Sequence, residues 1–240
     1  MPGCLPCYHA CAVKAALDVS EICAPVKTGC QNFTLQAVKA ISNCCRERGT
    51  PELEFILRAS RRNRAGRCWL PSGRRVRLFR DPVLPLRPQW DLVQGVGSRA
   101  PSWRAPARVA MLYDVFSLLP ESSEWSASRF RKRKRRQYRR LARNADLVLT
   151  VSETTRRDVL RYLEIPPDRV RTVYGGVDPR FRPAARENRR AVAEKYALPE
   201  KYALFTGAVS PRKNVVNLAR AFARSKAGRE HTLVIAGPCS

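Results

Sequence analysis

The sequence predicts an α/β protein whose strands lie parallel and are covered by helices on both faces. Short apolar runs alternate along the 240 residues with stretches in which apolar side chains recur at helical spacing, and this alternation is typical of parallel sheets. The pattern begins afresh after a proline- and arginine-rich stretch at 179–200. We therefore predict one domain over 1–178, a linker over 179–200 and the start of a second domain over 201–240.

The strands of the first domain are predicted where short apolar runs lie between turn residues. In chain order these runs are 12–19, 53–57, 76–79, 92–93, 109–113, 147–151 and 170–174. A helix is predicted around 33–41, because apolar residues recur there at mostly helical spacing before Gly49. A second helix is predicted over 126–145. A third begins after Ser152, whose hydroxyl caps it, and ends before Pro166.

The second domain begins with one βαβ unit. Its strands are predicted at 202–206 and 233–236. Between them, the residues that form one helix face at positions i, i+3, i+4 and i+7 are Val215, Leu218, Ala219 and Phe222. One such unit is too short to close a sheet, so we expect the chain to be truncated within this domain.

Positive charge is the most unusual feature of the composition. Lys and Arg total 46 against 20 Asp and Glu, which gives a formal net charge of +26. A field of this sign attracts the phosphates of nucleic acids, anionic lipids and nucleotides alike. With 44% hydrophobic residues the chain is not disordered by composition. It contains no run of ~18 uncharged apolar residues, which excludes a transmembrane protein.

The nine cysteines leave two interpretations open. Their number is odd and the N-terminus does not resemble an export signal, so a disulfide framework is not expected. Cys4, Cys7 and Cys11, with His9 in the same stretch, have side chains and spacing that suit a metal ion. The alternative is a loose N-terminal tail. We favour the tail and predict no metal site.

The loop 206–214 joins a predicted strand to the start of a predicted helix. Backbone N–H groups at a helix N-terminus, together with the helix dipole, attract phosphate. Gly207 has no Cβ and allows the backbone to approach a ligand closely, while Arg212 can bind two phosphate oxygens and Lys213 adds a point charge. The loop is therefore predicted to bind a diphosphate, and the alternative is an ordinary basic turn.

Asp114 is the acidic residue best placed for catalysis. It follows a predicted strand, and the carboxyl ends of strands in open α/β sheets surround the ligand crevice. The alternative is that its carboxylate caps a helix or a turn.

The helix 126–145 carries a second basic feature. Ten of the fifteen residues over 129–143 are Lys or Arg and none is acidic, while Phe130, Tyr138 and Leu141 contribute to a thin apolar stripe. Such a helix can pack on the sheet with a solvated outer face, contact an anionic membrane, or bind nucleic acid. Nucleic acid is the least expected partner, because no known nucleic-acid module surrounds the helix.

Four segments, in the right order, resemble glycosyltransferase family 4, the group 1 glycosyltransferases. The segment 27–35 is similar to the family's N-terminal glycine-rich loop and first helix, and 145–153 resembles its AD-x-V-x-x-VSE strand and helix start. The segment 173–181 resembles its V-x-N-G-V-D-x-x-F turn, and 205–238 resembles the start of its donor-binding domain. The resemblance runs from about residue 13 to the end of the sequence.

The resemblance implies a GT-B fold: one Rossmann-like N-terminal domain, followed here by the first βαβ unit of a second Rossmann-like domain that holds most of a nucleotide-sugar. It implies transfer of a sugar, mannose or glucose, from a GDP- or UDP-linked donor to a glycan or lipid-linked acceptor, with retention and without a metal ion or other cofactor. Gly207, Arg212 and Lys213 would hold the donor diphosphate, and Gly29 would line the cleft. Separately from the resemblance, the basic composition of 129–143 predicts the membrane contact of a cytoplasmic enzyme that is peripheral at the inner membrane face.

The sequence also departs from the family pattern. Tyr113-Asp114 stands where many members have His-Asp, and Gly175 where Asn is common. Cys30 follows Gly29 where a second glycine is usual. The family's paired glutamates would lie beyond residue 240, so we expect this chain to be an inactive fragment by itself. The alternative function is that of a basic nucleic-acid-binding protein.

Overall fold

The structure is a computed structural model that describes residues 13–22, 29–49, 51–58, 76–79, 89–96, 105–120, 122, 127–178 and 181–238. The chain forms two compact units, Met1–Gly175 and Gly176–Ser240. The division falls three residues before the end of the first domain predicted from the sequence.

The first unit contains a seven-stranded sheet in which every neighbouring pair is parallel, in the order β3-β2-β1-β4-β5-β6-β7. Its strands are β1 Lys14–Asp18, β2 Glu52–Arg58, β3 Val76–Phe79, β4 Leu92–Gly95, β5 Ala107–Leu112, β6 Leu147–Thr150 and β7 Val170–Thr172. Each strand lies at a run predicted from the sequence. The chain order reverses between β1 and β4, and in open α/β sheets ligands bind outside the carboxyl ends of strands at this position.

Helices cover both faces of this sheet, as the alternating pattern predicts. They are α1 Gly29–Arg48, α2 Ser128–Asn144 and α3 Glu153–Leu163. Leu17 of β1 and Phe55 of β2 pack with Val38 of α1. Their strand neighbours Ala16 and Ile56 belong to a separate buried cluster, because successive side chains of a strand point to opposite faces.

The helix α2 is attached to the sheet by a narrow apolar stripe. Tyr138 and Leu141 are buried with Leu112 of β5 and Val148 of β6. At the C-terminal end of α2, the Arg169 guanidinium donates hydrogen bonds to the carbonyl oxygens of Ala142, at 3.2 Å, and Ala145. A cation at this end satisfies carbonyls that lack helical partners and complements the helix dipole.

The start of α3 confirms a sequence prediction. The backbone N–H of Thr155 donates a hydrogen bond to Ser152 Oγ at 3.1 Å, which is the N-cap expected from the serine. The Thr155 hydroxyl in turn donates to the carbonyl of Tyr113 at 3.1 Å. The N-terminus of α3 is therefore joined to the carboxyl end of β5.

The buried carboxylate of Glu54 joins β2 to β3 and to the segment before β4. Glu54 accepts two hydrogen bonds from Arg77 of β3, at 2.7 and 3.1 Å, and one from the indole N–H of Trp90, at 2.9 Å. Its side chain is 10% exposed, whereas that of Arg77 is 40% exposed. The carboxylate has three donors, which offset the cost of burying its charge.

We expect Arg77→Met to lower the free energy of unfolding by about 2 kcal/mol. The change removes both Arg77 hydrogen bonds from the buried Glu54 carboxylate, but solvent near the half-exposed arginine keeps the cost below the ~3–5 kcal/mol of a fully buried pair. Arg190→Met is the matched control, because it removes an exposed pair with Glu194 and should cost less than about 0.5 kcal/mol. Urea unfolding measures both, and equal effects would show that the Glu54 network adds nothing to stability.

The second unit contains a parallel two-stranded sheet of β8 Tyr202–Thr206 and β9 Thr232–Ala236. The helices are α4 Arg186–Lys195, α5 Val215–Arg224 and α6 Ala227–Glu230. The βαβ unit predicted from the sequence is present. The stretch predicted as a linker contains α4, whose side chains are not buried in the described structure.

Candidate functional site

The segments that follow β8 and β9 are joined to each other at one edge of the small sheet. The N–H of Gly207 donates to the carbonyl of Ala236 at 3.0 Å, and the N–H of Val209 donates to the carbonyl of Pro238 at 2.9 Å. Gly207 has φ +146° and Gly237 has φ +156°, values that favour glycine. A Cβ on Gly237 would overlap the carbonyl oxygen of Gly207. Two glycines are thus needed for this close approach.

The segment directly before α5 contains a short helical turn. A 3₁₀ turn spans Pro211–Lys213, and the N–H groups of Lys213 and Asn214 donate to the carbonyls of Ser210 and Pro211, both at 3.0 Å. Asn214 then adopts the left-handed conformation, with φ 54° and ψ 32°. Asparagine is among the residues that tolerate this conformation. The chain therefore turns sharply just before α5 begins.

We call the segment Gly207–Asn214, together with the N-terminus of α5, the donor corner. Arg212 and Lys213 are exposed there, and the first turn of α5 contains no acidic residue. The first N–H groups of an α-helix have no partner within the helix, and the dipole gives that end a partial positive charge. Arg212 and Lys213 thus lie directly before a helix N-terminus, in one segment with Gly207, and cations at a helix N-terminus suit an anion.

Gly29, the other residue predicted to contact the donor, is the first residue of α1 and is exposed. No atom lies within 4 Å of a Cβ built on it. Neither backbone conformation nor crowding requires glycine at this position. Lys27 and Thr28, which precede it in the predicted glycine-rich loop, lie outside the described residues.

In the first unit, side chains from α1 and from the end of β5 meet beside the carboxyl end of β4. The Tyr113 hydroxyl lies 2.7 Å from the carbonyl oxygen of Val96 and 2.5 Å from Thr34 Oγ1, which itself lies 3.0 Å from that carbonyl. The ring of Tyr113 also meets Phe33 edge to face, with centroids 5.4 Å apart. Tyr113 therefore fixes the N-terminal half of α1 at the point where the strand order reverses.

Gly175 packs against Phe33, one ring of this aromatic pair. A Cβ on Gly175 would lie 2.9 Å from Cε2 of Phe33. The asparagine that is common here in the family would thus require the Phe33 ring to move. Glycine at this position, in place of the family's asparagine, therefore leaves room for the Phe33 ring.

Burial raises the pKa of Tyr113 to about 12, although its hydrogen bond with Thr34 acts in the opposite direction. Because the folded pKa lies above the ordinary value of 10, the phenol contributes stability below pH 10 that is lost as the pH rises through 12. We expect Tyr113→Phe to be less stable than the wild type at pH 9 and to lose less stability between pH 10 and 12. Urea unfolding at several pH values measures this, and parallel pH profiles would contradict it.

Asp114 is the second residue after the end of β5 and is exposed. Its Oδ1 accepts a hydrogen bond from the N–H of Phe116 at 3.1 Å, at the start of a 3₁₀ turn over Phe116–Leu118. The turn-capping interaction weighed from the sequence is therefore present. It occupies one carboxylate oxygen and holds the side chain at the carboxyl edge of the sheet.

A second carboxylate lies at this edge and was not predicted from the sequence. Asp18 ends β1 and is buried, and its Oδ1 accepts a hydrogen bond from the N–H of Ser20 at 3.1 Å. Asp18 therefore lies beside the reversal of strand order. The available signal was an aspartate at the end of an apolar run, the same signal that singled out Asp114.

Metal-binding geometry is absent from the described residues, in which no group of three or more His, Cys, Asp or Glu side chains could hold an ion. Cys4, Cys7, His9 and Cys11, the residues weighed for a metal site, lie outside the described part of the chain. Among the described helices, none is long and apolar enough to cross a membrane.

The parallel sheet with its reversed strand order and the βαβ unit with its basic corner define an α/β protein of the GT-B type. The crystal structure of Anabaena Alr3699/HepE in complex with UDP and glucose has the same fold, with a TM-score of 0.60 at 15% identity, over 95% of this chain and 62% of that one. The family model described as Glycosyltransferase Family 4 matches residues 44–181, more than half of the chain. The chain belongs to glycosyltransferase family 4.

Two curated relatives from Escherichia coli match shorter stretches. The O-antigen chain mannosyltransferase B is 34% identical over 80 residues, which cover 33% of this chain and 21% of that protein. The serotype-specific mannosyltransferase WbdA is 29% identical over 80 residues, which cover 32% of this chain and 10% of that protein. The alignments thus span about a fifth or less of the length of these relatives.

Proposed function

We propose that the donor corner binds the diphosphate of a nucleotide-sugar, UDP- or GDP-linked, and that the protein takes part in transfer of the sugar to a glycan or lipid-linked acceptor. The observation that carries this proposal is the position of the exposed Arg212 and Lys213 in the turn directly before α5, in one segment with Gly207. The Alr3699/HepE structure contains UDP and glucose, and the curated relatives are mannosyltransferases. Both support a hexose, mannose or glucose, as the transferred group.

The donor corner would stabilise the negative charge that develops on the leaving diphosphate. The bond between the sugar's anomeric carbon and the diphosphate breaks, a new bond forms to an acceptor oxygen, and the acceptor hydroxyl loses its proton. The leaving diphosphate gains negative charge as its bond breaks. Fixed cations and N–H groups aimed at that charge lower the barrier, and no metal ion is assigned a role.

Asp114 is proposed as the acidic residue on the acceptor side. Its hydrogen bond from Phe116 fixes the carboxylate but leaves Oδ2 for an acceptor hydroxyl, and its exposure gives access. Gly29, at the start of α1, is proposed to contribute to donor binding. We propose a cytoplasmic enzyme that acts with retention at the sugar carbon.

Calorimetric titration of the chain with UDP, GDP, UMP and GMP tests the proposal. A site for a diphosphate binds at least one of UDP and GDP at least ~10-fold more tightly than the matching monophosphate, because the second phosphate adds charge-assisted hydrogen bonds worth ~1.5–3 kcal/mol. Equal affinity for diphosphates and monophosphates, or binding of neither, contradicts it.

A further inference from the structure

The outward face of α2 is a continuous row of cations. Six exposed residues form this outer stripe at positions i, i+3, i+4, i+7, i+11 and i+14: Arg129, Lys132, Arg133, Arg136, Arg140 and Arg143. On the opposite side of the helix, Tyr138 and Leu141 are buried against the sheet. The inner face therefore holds the helix in place while the outer stripe is presented to solvent.

These charges are not neutralised within the described structure. Ten of the residues over 129–143 are cationic, and among the described residues no carboxylate forms a salt bridge with any of them. Like charges three and four positions apart destabilise a helix. Helix α2 thus carries a repulsion that an anionic surface would relieve.

The shape of this surface is long and shallow. At about 1.5 Å per residue, the 17 residues of α2 span ~25 Å. Phe130 lies beside the outer stripe, is 38% exposed, and has Arg133 and Lys134 over its ring. An exposed aromatic side chain flanked by cations is typical of helices that lie in the plane of a membrane interface.

We infer that the outer stripe of α2 binds the anionic headgroup surface of a membrane. Because its inner face is packed on the sheet, this helix can lie flat on lipid with the outer stripe toward the headgroups. The stripe supplies cations for the lipid phosphates, and the exposed ring of Phe130 beside it can enter the interface. The inference does not depend on the donor corner, which belongs to the other unit.

Vesicle flotation of the full chain tests this inference. We expect the wild type to bind vesicles of phosphatidylcholine and phosphatidylglycerol, and not vesicles of phosphatidylcholine alone, at physiological ionic strength. Each cation near such a surface contributes about fivefold in binding, so Arg136→Glu with Arg140→Glu, which removes two cations and adds two anions, should weaken binding at least about 25-fold. Arg186→Glu with Arg189→Glu is the matched control, because it changes the net charge equally at exposed positions of α4.

The control separates a specific surface from the overall charge of the protein. Retention of vesicle binding by the α4 variant, within about threefold, supports the inference. Equal losses of vesicle binding in the two variants would show that net charge causes the binding, and would overturn the inference. So would absence of wild-type binding to the anionic vesicles, or tighter binding to a random DNA duplex that only the α2 variant loses.

Discussion

Gly237→Ala is expected to destabilise the second unit by at least about 3 kcal/mol. Its φ of +156° belongs to a region that only glycine adopts readily, which costs another residue ~1–3 kcal/mol. The new Cβ would also overlap the carbonyl oxygen of Gly207. Because the atoms that the Cβ would overlap belong to the backbone of Gly207, rotating a side chain cannot relieve the conflict.

Hydrogen exchange of the β8 and β9 amides measures this effect within the second unit. Gly176→Ala is the control in the same unit, since no atom lies within 4 Å of a Cβ at that position and its φ is not in the left-handed region. We expect the control to change protection by less than about 0.5 kcal/mol. Wild-type protection in Gly237→Ala would mean that the two strand ends do not approach each other as described.

The double variant Arg212→Ala with Lys213→Ala should weaken binding of UDP or GDP by at least ~100-fold. Each side chain can donate a charge-assisted hydrogen bond to phosphate, and such bonds contribute ~1.5–3 kcal/mol. The affinity for the matching nucleoside, which has no phosphate, should not change. Calorimetry on the double variant gives the ratio directly.

Arg220→Ala with Arg224→Ala controls for the loss of two charges. Both residues belong to α5, but they lie in its C-terminal half, away from the N–H groups of the donor corner. We expect a loss of diphosphate affinity below about threefold, reflecting only the weaker overall field. Similar losses in the two double variants would remove the specific role of Arg212 and Lys213.

Local patterns were sufficient to predict the strands and most of the helices of this fold. Apolar runs identified the seven parallel strands, Ser152 marked the start of α3, and the spacing after Val215 identified α5. The stripe of Tyr138 and Leu141 also gave the buried face of α2. These features depend on residues within a few positions of one another, so the pattern of the sequence predicts them.

Contacts between distant residues were not predictable in this way. Tyr113 meets Thr34 across 79 positions, and only the folded sheet brings the two hydroxyls together. Glu54 suggested no partner in the sequence, yet Arg77 and Trp90 surround its carboxylate. Asp114 differs from these, because its turn cap is a local contact that the sequence suggested and the structure shows with Phe116 as the donor.

The central claim is that the turn before α5 binds a diphosphate, and an amide-resolved NMR titration tests it most directly. On addition of UDP or GDP, we predict the largest shifts at the N–H groups of Gly207, Arg212, Lys213, Val215 and Val216, while amides of the seven-stranded sheet change little. Saturable shifts centred on those amides would support the claim. Shifts centred elsewhere in the chain, or none at saturating nucleotide, would contradict it.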